Sequence, residues 1–264
     1  GMVSYKYGGQ EFIKDVPMPN FWRAPNDNDH GNNMPARYGQ WKLASLYLSH
    51  RSADGTALIE PKLNVFHDSA QIEYRYLMPT APASECTVTY QVYGDGTIRV
   101  KLDYDPVPEL HDMPEFGMMF KLDADLSQIK WFGLGPDDTY ADRFRGAKLG
   151  IYTGTPEGNM AKYLVPQECG NKSRVRWALV TDRRKRGLLF TGDSMHFSAI
   201  PYTPHELENA GHAYELPPVH HTVVRIAEMQ MGLAGDNSWG AQTHEEFLLD
   251  VSSHKSFVFS FKGV

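Results

Sequence analysis

Thr87-Val88-Thr89-Tyr90-Gln91-Val92-Tyr93-Gly94-Asp95-Gly96-Thr97-Ile98-Arg99-Val100-Lys101-Leu102-Asp103 decides the fold class. Val88, Tyr90 and Val92 alternate with Thr87, Thr89 and Gln91; after the glycines, Ile98, Val100 and Leu102 alternate with Arg99, Lys101 and Asp103. A period of two sends every second side chain to the same face, so each run reads as a half-buried strand. Gly94-Asp95-Gly96 tolerates positive φ and predicts a tight hairpin between them. The alternation recurs upstream, with Ile72, Tyr74 and Tyr76 set against Glu73 and Arg75. It recurs at the end, where Phe257, Phe259 and Phe261 alternate with Val258, Ser260 and Lys262 and predict a final strand deep in a sheet. Asp54-Gly55 and Arg186-Gly187 offer similar turns.

Helix is sparse. Thr203-Pro204-His205-Glu206 places a capping hydroxyl, a proline at the first helical position and a glutamate at the third, a capping box for a short helix through about Ala210. A second short helix is expected over Trp41 to Leu48. Seventeen prolines and 23 glycines punctuate the chain, but no Ser/Gly-rich linker, charge block or fixed-period repeat divides it. One domain over residues 1–264 is therefore expected: all-β, a large antiparallel sandwich.

A chain of 264 residues can build a substantial core without covalent staples. Its 26 basic and 32 acidic residues leave a net charge of −6, which disfavours nucleic acid and anionic membrane surfaces as partners. No run of about 18 apolar residues is present to span a bilayer. Cys86 and Cys169 show no CxxC or metal-ligand spacing and read as small buried hydrophobes. The opening Gly1-Met2-Val3-Ser4-Tyr5 has no basic segment followed by an apolar one, so cytoplasm and periplasm both stay open for a soluble chain.

Four segments could carry chemistry. Asn20-Phe21-Trp22-Arg23-Ala24-Pro25-Asn26-Asp27-Asn28-Asp29 reads as a proline-pinned loop of amides and carboxylates that either binds a polyol or bonds its own backbone; it lacks the glycine and distal glutamate of a calcium loop. Trp131 to Arg143 carries glycines with no helix pattern after them, so it is no phosphate cradle, and Tyr140, Asp142 and Arg143 suggest a buried ion pair under an aromatic cover. Tyr163-Leu164-Val165-Pro166-Gln167-Glu168-Cys169-Gly170-Asn171 holds the most catalytic-looking carboxylate, yet a retaining glycosidase needs two. Gly235-Asp236-Asn237-Ser238-Trp239-Gly240 is a turn with an indole near its tip, suited to stacking on a sugar face or to burial in a core. Adjacent His220 and His221 point to opposite faces of a strand and make a poor metal pair.

In order and spacing these segments resemble the C-terminal small-chain domain of glycoside hydrolase family 2 β-galactosidases. The matching strings are Pro19 to Pro25 with Asp27-Asn28-Asp29, Gly133-Leu134-Gly135-Pro136 through Tyr140, Asp142 and Arg143, Pro166-Gln167-Glu168 with Gly170, and Gly232 to Trp239. The resemblance implies a galactose mutarotase-like β-supersandwich packed on a catalytic TIM barrel that supplies the acid/base and nucleophile glutamates. No catalytic residue is then expected in this chain. It implies a piece of a longer β-galactosidase, with an earlier strand ahead of Met2, or the small subunit of a two-chain enzyme; Gly1 reads as an expression scar. Trp239 matches the tryptophan that forms a platform for a β-galactoside at the active-site mouth, with Asp236, Asn237 and Ser238 shaping its loop. Asp27, Asn28, Asp29, Glu168 and Arg143 are expected as framework residues or ligand contacts. No cofactor is expected in this chain; the resemblance places magnesium, with sodium as a second candidate, on the catalytic domain. A stand-alone carbohydrate-binding module is the alternative. A mutarotase, using Glu168 with His196 or His212, is a further one.

Overall fold

A computed structural model describes residues 1–110, 112–237 and 239–264. A small ribbon of β1 (Lys6–Tyr7) and β2 (Gln10–Glu11) opens the chain, followed by β3 (Met18–Asn20) and three short helices, α1 (Asp27–Gly31), α2 (Met34–Arg37) and α3 (Gly39–Leu46). Strands β4 (Lys62–Val65), β5 (Ser69–Met78), β6 (Ser84–Tyr93) and β7 (Ile98–Tyr104) form a meander. Then come β8 (Glu115–Asp123), β9 (Gln128–Gly135), β10 (Lys148–Gly154), β11 (Lys172–Thr181), β12 (Gly187–Ile200), α4 (Pro204–Asn209), β13 (His221–Gln230) and β14 (Lys255–Gly263). The all-β antiparallel architecture expected from the alternation is the one found.

The hairpin forms as its pattern dictates. Val88 faces Leu102, Tyr90 faces Val100 and Val92 faces Ile98 across β6 and β7, while Gly96 takes the turn at φ +86°. β14 lies between β7 and β12, aligning Phe257, Phe259 and Phe261 with Leu102, Val100 and Ile98. Burying each such side chain contributes roughly 1.5–3 kcal/mol, so this register alone fixes which face turns inward.

Strand β12 does what no local pattern announces. Along one edge it pairs with β11 from Gly187 out to Phe197, while on the other edge its first half, Leu188 to Thr191, pairs with β14 and its second half, from His196 to Ile200, pairs with β13. β13 carries β8, and β8 carries β3, so the sheet branches and curls over itself. Phe120 of β8 therefore meets Phe190, Phe259 and Phe261 at ring distances of 5.4, 6.1 and 5.5 Å, closing the core between two layers.

Local expectations fare unevenly. The Thr203 capping box holds, with its hydroxyl accepting from Glu206 N at 3.2 Å and the helix ending at Asn209. The helix expected over Trp41 to Leu48 starts earlier and ends at Leu46, because Tyr38 N–H bonds Met34 O and runs α2 directly into α3. At the Arg186-Gly187 turn the positive φ belongs to Lys185; Gly187 is needed instead because a Cβ there would sit 2.0 Å from Val180 O. The loop expected over residues 20–29 becomes helical from Asp27, capped by an Asn/Asp version of the capping box. Cys86 and Cys169 are buried free thiols, and burial raises the Cys169 thiol to about 12.

Candidate functional site

Site geometry starts from a fully buried ion pair. Arg23 Nη2 binds both Asp29 oxygens, at 2.8 and 3.1 Å, and neither side chain reaches solvent. Asp29 Oδ2 accepts Asn26 N–H at 3.0 Å while Asn26 Oδ1 accepts Asp29 N–H at 2.8 Å, so the start of α1 holds the carboxylate at the guanidinium. The same guanidinium donates to Met231 O at 2.6 Å and Gly232 O at 2.9 Å, and Asn26 Nδ2 donates to Leu233 O at 3.0 Å. From the other side Asp142 Oδ2 accepts the N–H groups of Leu233 and Ala234 at 2.8 and 2.9 Å. The segment that leaves β13 is thus clamped by three side chains before it reaches Gly235.

Beyond that clamp the chain turns outward. Gly235 is required by close approach, since a Cβ would lie 2.3 Å from Ala241 O at the neck of the loop. Asn237 Oδ1 accepts the N–H groups of Trp239 at 2.9 Å and Ala241 at 3.2 Å, and Asp236 Oδ1 pairs with His244 Nε2 at 2.9 Å. Trp239 stands 89% exposed at the tip. Ser238, assigned to the same loop from sequence, lies outside the described residues.

A second ion cluster sits behind this loop. Arg225 donates to Glu115 Oε2 at 2.7 Å and to Glu168 Oε1 at 2.6 Å, all three buried. Asn20 Nδ2 donates to Glu115 at 2.7 Å, and Tyr140 O–H and Gln230 Nε2 reach Glu168 at 3.2 and 3.4 Å. Burial pushes the Glu115 carboxyl up to about 7, further than the Arg225 charge pulls it down. Burial acts to lower Arg225, yet its two carboxylates hold it above the ordinary guanidinium value. Glu168, the most catalytic-looking carboxylate of the sequence, is tied into this framework.

One sequence reading needs correction here. Asp142 and Arg143 do not pair: Arg143 is half exposed, bonds Asp138 and lies over the Tyr140 ring at 5.5 Å, while Asp142 serves the backbone at 233–234. The residues named for a mutarotase stand in different settings. His212 is exposed, paired with Glu215 and stacked on Tyr214, whereas His196 Nδ1 accepts from Asn171 Nδ2 at 3.0 Å and Glu168 is bonded to Arg225.

The structure does gather Asp27, Asn28, Arg143 and Glu168 around one cleft of about 400 Å³, lined also by Tyr163 and Gln167. Trp239 is not in its wall. Sequence reasoning missed Arg225 and Glu115, although a single charge inside Val223-Val224-Arg225-Ile226-Ala227 was the available signal. It also missed Arg23 as the residue that braces the Trp239 loop.

Fold and site together define a β-sandwich domain that presents one solvent-exposed indole on a clamped loop, over a framework of buried ion pairs. The chain belongs to the β-galactosidase small chain family, whose pattern matches residues 1–262. It is 38% identical to a β-galactosidase of Halalkalibacterium halodurans, covering 100% of this chain and 26% of that one. A β-galactosidase of Lactobacillus delbrueckii subsp. bulgaricus is 39% identical over 94% of this chain and 24% of its own length. The chain thus spans about a quarter of these curated relatives. By contrast, the β-galactosidase small subunit of Latilactobacillus sakei, 32% identical, is covered over 88% of its length by 98% of this chain. Among solved structures, galactose 1-epimerase from Lactobacillus acidophilus superposes with a TM-score of 0.44 at 9% identity, over 78% of this chain and 66% of that one.

Proposed function

We propose that this chain completes the active site of a catalytic TIM-barrel domain or large subunit, in retaining hydrolysis of terminal β-galactosides, and holds the sugar through Trp239. The observation that carries the reading is the 89% exposure of Trp239 at the end of a loop whose root is buried and clamped. A large aromatic held in water on a braced loop is not buried by the described residues of this chain, and an indole face suits the apolar C–H face of a pyranose. Relatives support a divided enzyme, because the same stretch occurs as a quarter of a longer β-galactosidase and as a subunit of its own.

In this reading the barrel supplies both carboxylates, and bond cleavage belongs to it. Trp239 contributes orientation, holding the galactoside in register with them. Asn237 and Asp236 set the loop conformation through the bonds already described. Magnesium, with sodium as a second candidate, is assigned to the barrel: the one fully buried carboxylate of the acidic 26–29 loop, Asp29, is already taken by Arg23.

Hydrolysis of a chromogenic β-galactoside by this chain alone, and after mixing with a separately expressed chain carrying the barrel, tests the proposal. Activity only in the mixture is the expected result. Activity in neither, together with galactoside binding by the isolated chain, would establish a binding module instead.

A further inference from the structure

Among the described residues, Lys172 is the one largely buried cation without an ion pair or a side-chain hydrogen bond. Its side chain is 3% exposed, lies over the Trp131 ring at 5.2 Å, and makes no hydrogen bond or ion pair among the described residues. Burial pulls the ammonium down to about 8, and the carboxylates of Asp138 and Asp137 only partly restore it. A stranded buried charge of this kind is costly, and a fold retains one rarely without use.

The backbone directs Lys172 deliberately. β11 and β12 are in register at Lys172–Phe197 and again at Val175–Met195, with a bulge between. Within that bulge Arg174 sits at φ +54°, a conformation disfavoured for a side chain of its size. Bulges and strained residues gather where a strand must re-aim a side chain. Here the bulge lies next to a lysine that faces a cleft of about 530 Å³, inside the roughly 300–1,000 Å³ span of small-molecule sites.

The cleft's chemistry is mixed and close to neutral. Lys172 offers donors at the floor, and Asp137 at the rim is an exposed carboxylate with no hydrogen bond or ion pair among the described residues. Asp138 is already occupied by Arg143 and Gly170 N–H, so Lys172 and Asp137 are the free pair. Thr153 and Thr155 add hydroxyls, and Tyr163 adds a partly exposed ring. One free cation, one free anion, neutral hydroxyls and an aromatic wall suit a neutral polyhydroxylated ring better than an anion, which Asp137 would repel at the entrance.

We propose that this cleft is a second carbohydrate site, separate from the Trp239 loop, which takes a neutral pyranose with its hydroxyls on the Lys172 ammonium and the Asp137 carboxylate. Among the described residues it shares no lining residue with the 235–240 loop, and it does not depend on the function proposed for Trp239.

Ligand-observed NMR titration of this chain with D-galactose, D-glucose and D-galacturonate tests it. Saturable millimolar binding of a neutral hexose is expected. The binding should persist in Trp239→Ala and weaken about tenfold or more in Lys172→Met and in Asp137→Ala, a loss of at least about 1.4 kcal/mol. Lys172→Met removes a stranded charge and keeps the stem over Trp131, so it should fold; Asp137→Ala alters only an exposed side chain and serves as the independent check. Three results would overturn the proposal: no saturable hexose binding, binding lost in Trp239→Ala and unchanged in Lys172→Met and Asp137→Ala, or preference for galacturonate.

Discussion

Arg23 and Asp29 meet at 2.8 Å with no solvent on either side chain, only six positions apart in the chain, and the guanidinium that Asp29 fixes reaches across to Met231 and Gly232. A local ion pair is thereby the anchor of a distant loop. The pair is held in turn by the reciprocal Asn26 and Asp29 bonds at the start of α1.

Breaking this pair should therefore cost more than a surface bridge would. Arg23→Met leaves a buried carboxylate uncompensated and is expected to destabilise the chain by about 3–5 kcal/mol. The double change Arg23→Met with Asp29→Leu should cost less than the single one, since no charge remains stranded. Urea unfolding of the three chains checks both statements; a double variant weaker than Arg23→Met would show that backbone anchoring, rather than the charge, carries the effect.

Trp239→Ala should leave the fold intact, within about 0.5 kcal/mol, because an 89% exposed ring has little packing to lose. In the assembled enzyme the same change should raise KM more than it lowers kcat, since it removes binding shared by ground and transition states. Steady-state kinetics distinguish the cases. A fall in kcat at constant KM would remove Trp239 from the role of a platform.

Arg225→Met should leave Glu115 and Glu168 facing one another without the guanidinium and strongly destabilise the chain at neutral pH. Acidification should partly rescue it. Glu115 is already raised to about 7, so its contribution is fully present below the ordinary carboxylate range and lost as pH rises through 7. Removing the guanidinium raises it further. Melting temperature followed from pH 7 down to about pH 5 should therefore climb in Arg225→Met. A flat profile would mean that Glu115 does not titrate in this range.

His196 should act in the opposite sense. Burial lowers it to about 4 from its ordinary 6.5, so the unfolded chain takes up a proton that the folded one refuses. Stability from this group is present above the ordinary value and lost as pH falls from 6.5 towards 4. Asn171 Nδ2 donates to its Nδ1, and His196→Gln preserves an acceptor there without titrating. Unfolding free energy measured across that window should fall less steeply in His196→Gln than in the parent chain; identical slopes would refute the assignment.

What the sequence revealed follows from the range of the physics involved. The β6–β7 hairpin and β14 were legible because alternation is local and its register is enforced by burial. The branch at β12 was not, since switching from β14 to β13 depends on partners far away in the chain. At the site, the turn carrying Trp239 could be read from Gly235-Asp236-Asn237, but the clamp beneath it joins Arg23, Asn26 and Asp142 to residues 231–234 and leaves no contiguous trace. The capping box at Asn26 was missed because an amide and an aspartate replaced the usual hydroxyl and glutamate. Asp142 and Arg143 looked like a pair because they are neighbours, and neighbouring side chains seldom point the same way.

The bond from Arg23 to Met231 closes a span of 208 residues. A ribosome extends the chain from its N-terminus, so Arg23 and Asp29 emerge ahead of β4 to β13 and wait for residues 231 and 232. The indole's loop receives its footing only once residues 231–234 have followed β13, and a product that stops before them lacks the means to present it. Such a wide closure makes surface display of Trp239 a report that synthesis has passed β13.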